Sequence, residues 1–426
     1  MAFDTSKSLR NQVMYSVFVR NYSEEGTFEG VRKDLQRIKD LGVDVIWFMP
    51  IHPLGEKARK GVLGSPYAIK DYRAVNHEFG TIEDFKALVE DIHAMGMKCI
   101  IDVVYNHTSP DSKLSENHPE WFYHKTDGSF GNRVGDWTDI IDLDYAQRDL
   151  WDYQIETLKM WAEIVDGFRC DVASLVPLEF WLKAREEVAK VRENCLWLSE
   201  SIEHGFIRYI RSQGMTALSD SEIFRAFDVA YDYDTAGEFV DALLKKCSLS
   251  DYAKVLNLQE TIYPDNYVKL RFLENHDRPR AHQLISDEES LIAWTAFLYF
   301  QKGMTLIYNG QETGETHLPS LFDKDTIKWQ GGVGLTPLMR KLYEIKQDKA
   351  FADSDYSVSS PCDGVLCAMH KTADTKFFGA FPVGAQSALV NVELPDGTYE
   401  NLITGESAEV KFGMLSLKRK PVIIKA

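Results

Sequence analysis

The chain has 426 residues, 44% of them apolar, which is enough to bury a sizeable core and excludes a disordered chain. Its length exceeds one ordinary domain and suits a large barrel with a small partner. With 48 Lys plus Arg against 65 Asp plus Glu, the net charge of −17 excludes a nucleic-acid binder, which needs a basic footprint, and leaves a neutral ligand open.

The opening residues, MAFDTSKSLRNQ, lack the apolar stretch of a secretory leader, and no run of about 18 apolar residues follows. The expectation is a cytoplasmic chain that does not span a membrane, with a secreted form already freed of its leader as the alternative. Cys99, Cys170, Cys195, Cys247, Cys362 and Cys367 show no CxxC spacing and read as reduced cysteines, three of them in strongly apolar, strand-like runs.

Along the first 350 or so residues, short apolar runs alternate with helical patterns. The runs Val13–Val19, Val43–Met49, Lys98–Val104, Gly167–Val172, Leu196–Ser199, Phe224–Val229, Val268–Leu273 and Met304–Tyr308 read as strands buried on both faces. Between them, Val31–Leu41, Ile82–Met95, Asp149–Trp161, Glu179–Val191 and Glu288–Phe300 repeat apolar residues at helical spacing. Thr81 caps the second of these and Gly96 ends it. Eight strand–helix units predict an α/β fold, a (β/α)8 TIM barrel over residues 1–352. An open doubly wound sheet would favour a Gly-rich first turn, and there is none. The polar segment Thr108–Ile141 follows the third strand as a short excursion, where loops shape active sites.

After about residue 352 the texture changes to short alternating runs: Tyr356–Ser360, Val365–Lys371, Phe377–Phe381, Ala388–Leu394, Thr398–Ile403 and Leu415–Ile424. Asp363-Gly364, Asp396-Gly397 and Thr404-Gly405 supply turns. The expectation is a C-terminal antiparallel β-domain over 353–426.

Polar residues gather at the C-terminal ends of four predicted strands, where barrel enzymes keep their chemistry. IIDVVYNHT gives Asp102, Asn106 and His107. GFRCDVA gives Arg169 and Asp171. LWLSES gives Glu200, and FLENHDRPR gives Asn275, His276 and Asp277. Arg169 and Asp171 are two apart on a strand and share a face, so the Arg holds the carboxylate ionised, as a nucleophile requires. A carboxylate pair roughly 5–5.5 Å apart, one ionised and one protonated, is the equipment of a retaining glycosidase. A metal hydrolase barrel is the chemical rival, but it expects an HxH pair on the first strand, and VMYSVFVR has no histidine.

The order DVVYNH, GFRCD, an apolar strand ending in Glu200, then ENHD resembles glycoside hydrolase family 13, the α-amylase family. LGVDVIWFMPIHP, SPYAIKDYRAVNHEFGT and GMTLIYNGQE resemble further family motifs, so the likeness runs from about Met14 to Gln311. It implies cleavage of α-1,4-glucosidic bonds in malto-oligosaccharides or α-glucans through a covalent glycosyl-enzyme. Asp171 would be the nucleophile, Glu200 the acid/base and Asp277 the stabiliser of the transition state. Arg169 would orient Asp171, His107 and His276 would bind sugar hydroxyls, Tyr67 would stack on the ring, and Asp102 would support Arg169. The alternatives are a transglycosylase or an α-1,6-acting glucosidase of the same family, and a non-catalytic accessory relative. No cofactor is expected for the chemistry. Family members often hold a structural calcium with residues matching Asn106 and Asp142; the other reading is that these two only tie the loop down.

The chain departs from the family pattern at three places. Ser174 and Leu175 stand where many members carry Lys-His, and would offer the leaving-group side one short hydroxyl and one apolar side chain. Ser199 precedes the acid/base where Gly is frequent. Val172 follows the nucleophile, as in some α-1,6-acting relatives.

Overall fold

A computed structural model describes residues 2–134, 137–384 and 387–426. Gly135 and Asp136, inside the expected excursion, lie outside the described residues.

Parallel strands close into a barrel: β1 (Val13–Val17), β2 (Val45–Phe48), β3 (Lys98–Val103), β4 (Gly167–Cys170), β5 (Leu196–Ser199), β6 (Val229–Tyr231), β7 (Lys269–Arg271) and β8 (Met304–Tyr308), each hydrogen-bonded to its neighbours in that order, with β8 beside β1. Side chains alternate between two cores because strand residues alternate in direction. Met14, Trp47, Ile100, Leu198, Tyr231, Leu270 and Leu306 fill the interior. Tyr15, Ile46, Ile101, Phe168, Trp197 and Ile307 face the surrounding helices. Both faces are dry, so the strands read as unbroken apolar runs.

Two elements differ from expectation. The sixth strand begins only at Val229, because Ser219 and Glu222 form a capping box that opens a helix at Asp220–Ile223. Phe224 and Phe227 then pack against outer aromatics, Phe224 on Tyr263 and Phe227 on Trp181. The periodic stretch Val31–Leu41 is two helices, Phe28–Arg32 and Leu35–Asp40, interrupted at Asp34, whose carboxylate accepts from Arg37 Nε at 2.8 Å. The other helices lie where the periodicity placed them, at Ile82–Ala94, Arg148–Ala162, Leu178–Ala189 and Glu288–Phe300.

The segment after β3 opens and closes with a two-residue ladder that pairs His107–Thr108 with Ile141–Asp142. Beyond β8 and the helix Thr336–Lys346 come antiparallel strands in two sheets. One orders β9 (Asp355–Cys362), β10 (Val365–Lys371), β11 (Lys376–Phe381) and β16 (Val422–Lys425). The other orders β12 (Ala388–Asn391), β15 (Met414–Leu417), β14 (Ser407–Lys411) and β13 (Gly397–Glu400). The expected run Leu415–Ile424 is thus two strands in different sheets. β14, whose SAEVK is short and charged, carries little hydrophobic signal.

Candidate active site

The barrel ladders carry the key carboxylates one residue past the strand ends. The Asp171 N–H donates to the Val103 carbonyl at 3.0 Å, and the Glu200 N–H donates to the Cys170 carbonyl at 3.0 Å. Asp102 and Arg169 are register partners on β3 and β4, so both point into the barrel mouth. Backbone geometry therefore sets the position of each acid before any side chain turns.

Arg169 is fully buried and joins three acids. Its Nη1 donates to Asp102 Oδ1 at 2.9 Å and to Asp171 Oδ1 at 2.9 Å, and its Nη2 is ion-paired with Glu200 Oε2 at 2.8 Å. One guanidinium thus holds both carboxylates, and a close carboxylate pair is what a retaining glycosidase requires. One cation cannot keep three buried carboxylates charged. Burial raises Glu200 to about 7 against the pull of Arg169, with Asp171 and Asp277 adding repulsion. Burial likewise raises Asp171 to about 6, opposed by Arg169. The pair titrates together, and Glu200 holds its proton longer.

Asp171 Oδ1 is tied to Arg169, while Oδ2 faces His107 Nε2 at 3.9 Å. Asn106 Nδ2 donates to His107 Nδ1 at 3.1 Å, which puts the imidazole proton on Nε2, toward the nucleophile. Burial brings His107 down to about 4, so it works as a neutral donor. Asp277 differs from the other two acids: its side chain keeps 43% of its surface exposed. Burial would raise it, but His276, 3.1 Å away, outweighs that and brings it to about 2. Val172 is half-buried with φ 35°, a conformation rare for a β-branched residue, and its N–H donates to Glu200 Oε2 at 2.8 Å.

Asp171, Glu200, Asp277, Tyr67, His107 and Val172 line one cavity of about 360 Å³. Arg169, Asp102 and His276 stand behind that wall. The His276 Nε2 lies 2.6 Å from the Tyr67 hydroxyl, and the two rings stack at 5.5 Å, so His276 supports Tyr67 and Asp277 from within. Ser174 is fully buried, and its hydroxyl does not reach the leaving-group side as its sequence position suggested. Leu175 packs with Trp137 and Phe206 in a small apolar cluster. Sequence reasoning missed Lys60, Ser65, Trp137, Asp139, Leu321 and Phe322 on the cavity wall. They belong to loops after β2, β3 and β8, where no periodicity marks them.

Asn106 and Asp142 line a second cavity of about 340 Å³, which also holds Arg133 and none of the three acids. Asp142 Oδ2 accepts the Arg133 N–H at 2.6 Å, Asp142 Oδ1 is buried without a partner, and Arg133 Nη1 donates to the Leu143 carbonyl at 3.1 Å. Calcium takes about six to eight oxygens. Asn106 and Asp142 offer two side-chain oxygen donors, and the Arg133 guanidinium already takes the Leu143 carbonyl beside them; among the described residues no group of three or more His, Cys, Asp or Glu is placed to hold a metal.

The family model for the alpha amylase catalytic domain matches residues 7–128 and 115–355, and that for the bacterial alpha amylase C-terminal domain matches 357–424. The structure is similar to that of an alpha-amylase from Lactobacillus plantarum, with TM-score 0.97 and 49% identity, covering 99% of this chain and 100% of that one. It is also similar to the noncanonic maltogenic alpha-amylase AmyB from Thermotoga neapolitana, with TM-score 0.87 and 33% identity, covering 98% and 99%. A probable oligo-1,6-glucosidase 3 of Bacillus subtilis (strain 168) is 27% identical over 419 residues, covering 81% of this chain and 71% of that protein. Other curated relatives are longer, and the chain spans 34% and 60% of two of them.

Proposed function

The chain belongs to the alpha amylase family of glycoside hydrolases, family 13, and on that premise we propose that it hydrolyses α-1,4-glucosidic bonds of malto-oligosaccharides and α-glucans with retention, through Asp171 and Glu200. The observation that carries this reading is the shared Arg169, which sets the two acids at close range while their environments separate their proton affinities.

In the first step Glu200 gives its proton to the glycosidic oxygen while Asp171 Oδ2 attacks the anomeric carbon. The carbon–oxygen bond to the leaving sugar breaks, the departing oxygen keeps the proton, and a β-glucosyl ester forms. In the second step the Glu200 carboxylate takes a proton from water, the hydroxide displaces Asp171, and the α-anomer leaves. Asp277, ionised and on the cavity wall, stabilises the positive charge that builds on the ring in both steps. His107 Nε2–H and the Tyr67 face hold the sugar. The chemistry needs no metal, and we assign the loop at Asn106 and Asp142 to protein hydrogen bonds. Proton NMR of fresh product tests the stereochemistry: α-maltose or α-glucose is expected first, and a β-anomer would contradict retention.

A second reading, cleavage of α-1,6 bonds, is favoured by Val172 on the cavity wall and by the Bacillus subtilis relative. Parallel assays on maltotriose and isomaltose separate the two, and product analysis with maltotriose separates hydrolysis from transglycosylation. We place the catalytic unit at 1–352 and the β-domain at 353–426. All six cysteines are unpaired, which supports a reducing, cytoplasmic setting. Among the described residues no helix is long and apolar enough to cross a membrane.

A further inference from the structure

Three loops meet on one side of the catalytic cavity. Lys60 Nζ, in the loop after β2, is ion-paired at 2.9 Å with Asp139, in the segment after β3, and the Asp139 side chain is only 7% exposed. The residue after Lys60 is Gly61, at φ 64°, where an added Cβ would come within 2.5 Å of Phe322 in the loop after β8. The Leu63 N–H donates to the Phe322 carbonyl at 2.9 Å, and the Val62 N–H donates to Asp323 Oδ1 at 2.8 Å. Phe322, Lys60 and Asp139 are thus linked in one wall, and all three line the cavity.

The barrel order fixes which end of the substrate meets this wall. Glu200 follows β5, and β5 lies across the ring from β1, between β8 and β2. The proton donor faces the leaving group, so the sugar chain on that side runs past β5. The loops after β8 and β2, which flank β1, therefore meet the opposite, non-reducing end of the bound chain, and the ion pair with Lys60 brings Asp139 of the segment after β3 onto them. Lys60 and Asp139 carry opposite charges and cancel, so the wall offers no charged partner to a further sugar. It stands as an obstacle, and an obstacle selects as effectively as an attraction does.

We infer that the Lys60–Asp139 ion pair is a specificity-determining clasp that ends the cleft on the glycone side, so that α-glucan chains enter by a free non-reducing end and are shortened from there. This rests on the hydrolase reading of the same cavity. An open cleft would accept internal stretches of a chain; a closed one rejects a chain whose non-reducing end is enlarged.

The test compares maltoheptaose with maltoheptaose carrying a 4,6-O-ethylidene block on its non-reducing end, each followed by chromatography of all products. The wild type is expected to cleave the blocked chain at least about 100-fold more slowly than the free one. Lys60→Ala and Asp139→Ala, confirmed folded by thermal melting, are expected to bring the two rates within about tenfold of each other, and the exchange Lys60→Asp with Asp139→Lys to restore the gap. Equal cleavage of both chains by the wild type would overturn the clasp whether or not the variants fold, as would an unchanged gap in both folded single variants. Absence of turnover on the free chain would instead contradict the hydrolase reading.

Discussion

Glu200 Oε2 lies 2.8 Å from Arg169 Nη2, and yet Glu200 is the acid of the site that holds its proton up to about 7. Burial and the neighbouring Asp171 and Asp277 outweigh a single guanidinium already engaged by Asp102 and Asp171. The same cation therefore fixes both carboxylates in place while leaving one of them available as an acid.

The pH profile of kcat/KM follows from this arrangement. Glu200 must be protonated, so activity falls as pH rises through about 7. Asp171 must be ionised, so activity falls as pH drops through about 6. The expected profile is a narrow bell whose two limbs belong to the coupled pair. Glu200→Gln should lose the alkaline limb along with most of its activity on unactivated substrates. A profile flat across this window would contradict the assignment.

Stability carries the opposite signature. The folded-state value of Glu200 is raised above the ordinary 4.5, so the folded protein binds the proton more tightly than the unfolded chain. That contribution is fully present below the unfolded value and is lost as pH rises through about 7. Glu200→Gln should therefore melt higher than the wild type near about pH 8, by the equivalent of roughly 1–3 kcal/mol, and the gap should shrink near about pH 5. Calorimetry at the two pH values checks this, and a gap that widens at low pH would reverse the sign argued here.

Glu200→Ala should be rescuable. A substrate with a good leaving group needs no proton in the first step, and azide can attack the glycosyl-enzyme without a general base. The product should be an α-glycosyl azide, identified by NMR. A β-azide, or no rescue at any azide concentration, would remove Glu200 from its role.

Chelation bears on the loop at Asn106 and Asp142. Since Arg133 engages both Asp142 and Leu143 there, treatment with EDTA should leave the melting temperature within about 1 °C, under the roughly 2–4 °C that about 1 kcal/mol shifts in larger domains. A larger fall, reversed by added calcium, would mean that a cation completes this loop.

Much of the fold was legible because a barrel strand dry on both faces writes an unbroken apolar run, as Leu196–Ser199 and Met304–Tyr308 do. The sixth strand was misplaced because Phe224 and Phe227 are apolar residues at the end of, and just after, a short helix opened by the Ser219–Glu222 capping box. Asp171 and Glu200 were legible one residue past strand ends; Asp277 lies six residues beyond β7 and was legible from the ENHD motif. His276 was legible as a site residue, but its place behind Tyr67 depends on how a loop folds back, which spacing does not encode. Lys60 and Asp139 left no trace in the sequence for the same reason: each is one charge in a polar loop, and only the closed barrel brings the two loops together. Ser174 shows the reverse: it stands where the family motif carries a leaving-group residue, but its side chain is fully buried.

The most direct test of the mechanism is to trap the covalent intermediate. Incubation with 5-fluoro-α-glucosyl fluoride, which slows the second step more than the first, should add one fluoroglucosyl group to the protein, and peptide mass spectrometry should place it on Asp171. Asp171→Asn should take up no label and lose activity by about 10⁴-fold or more while melting as a folded protein. A label on another residue, or an Asp171→Asn variant that retains activity within a few-fold, would contradict Asp171 as the nucleophile.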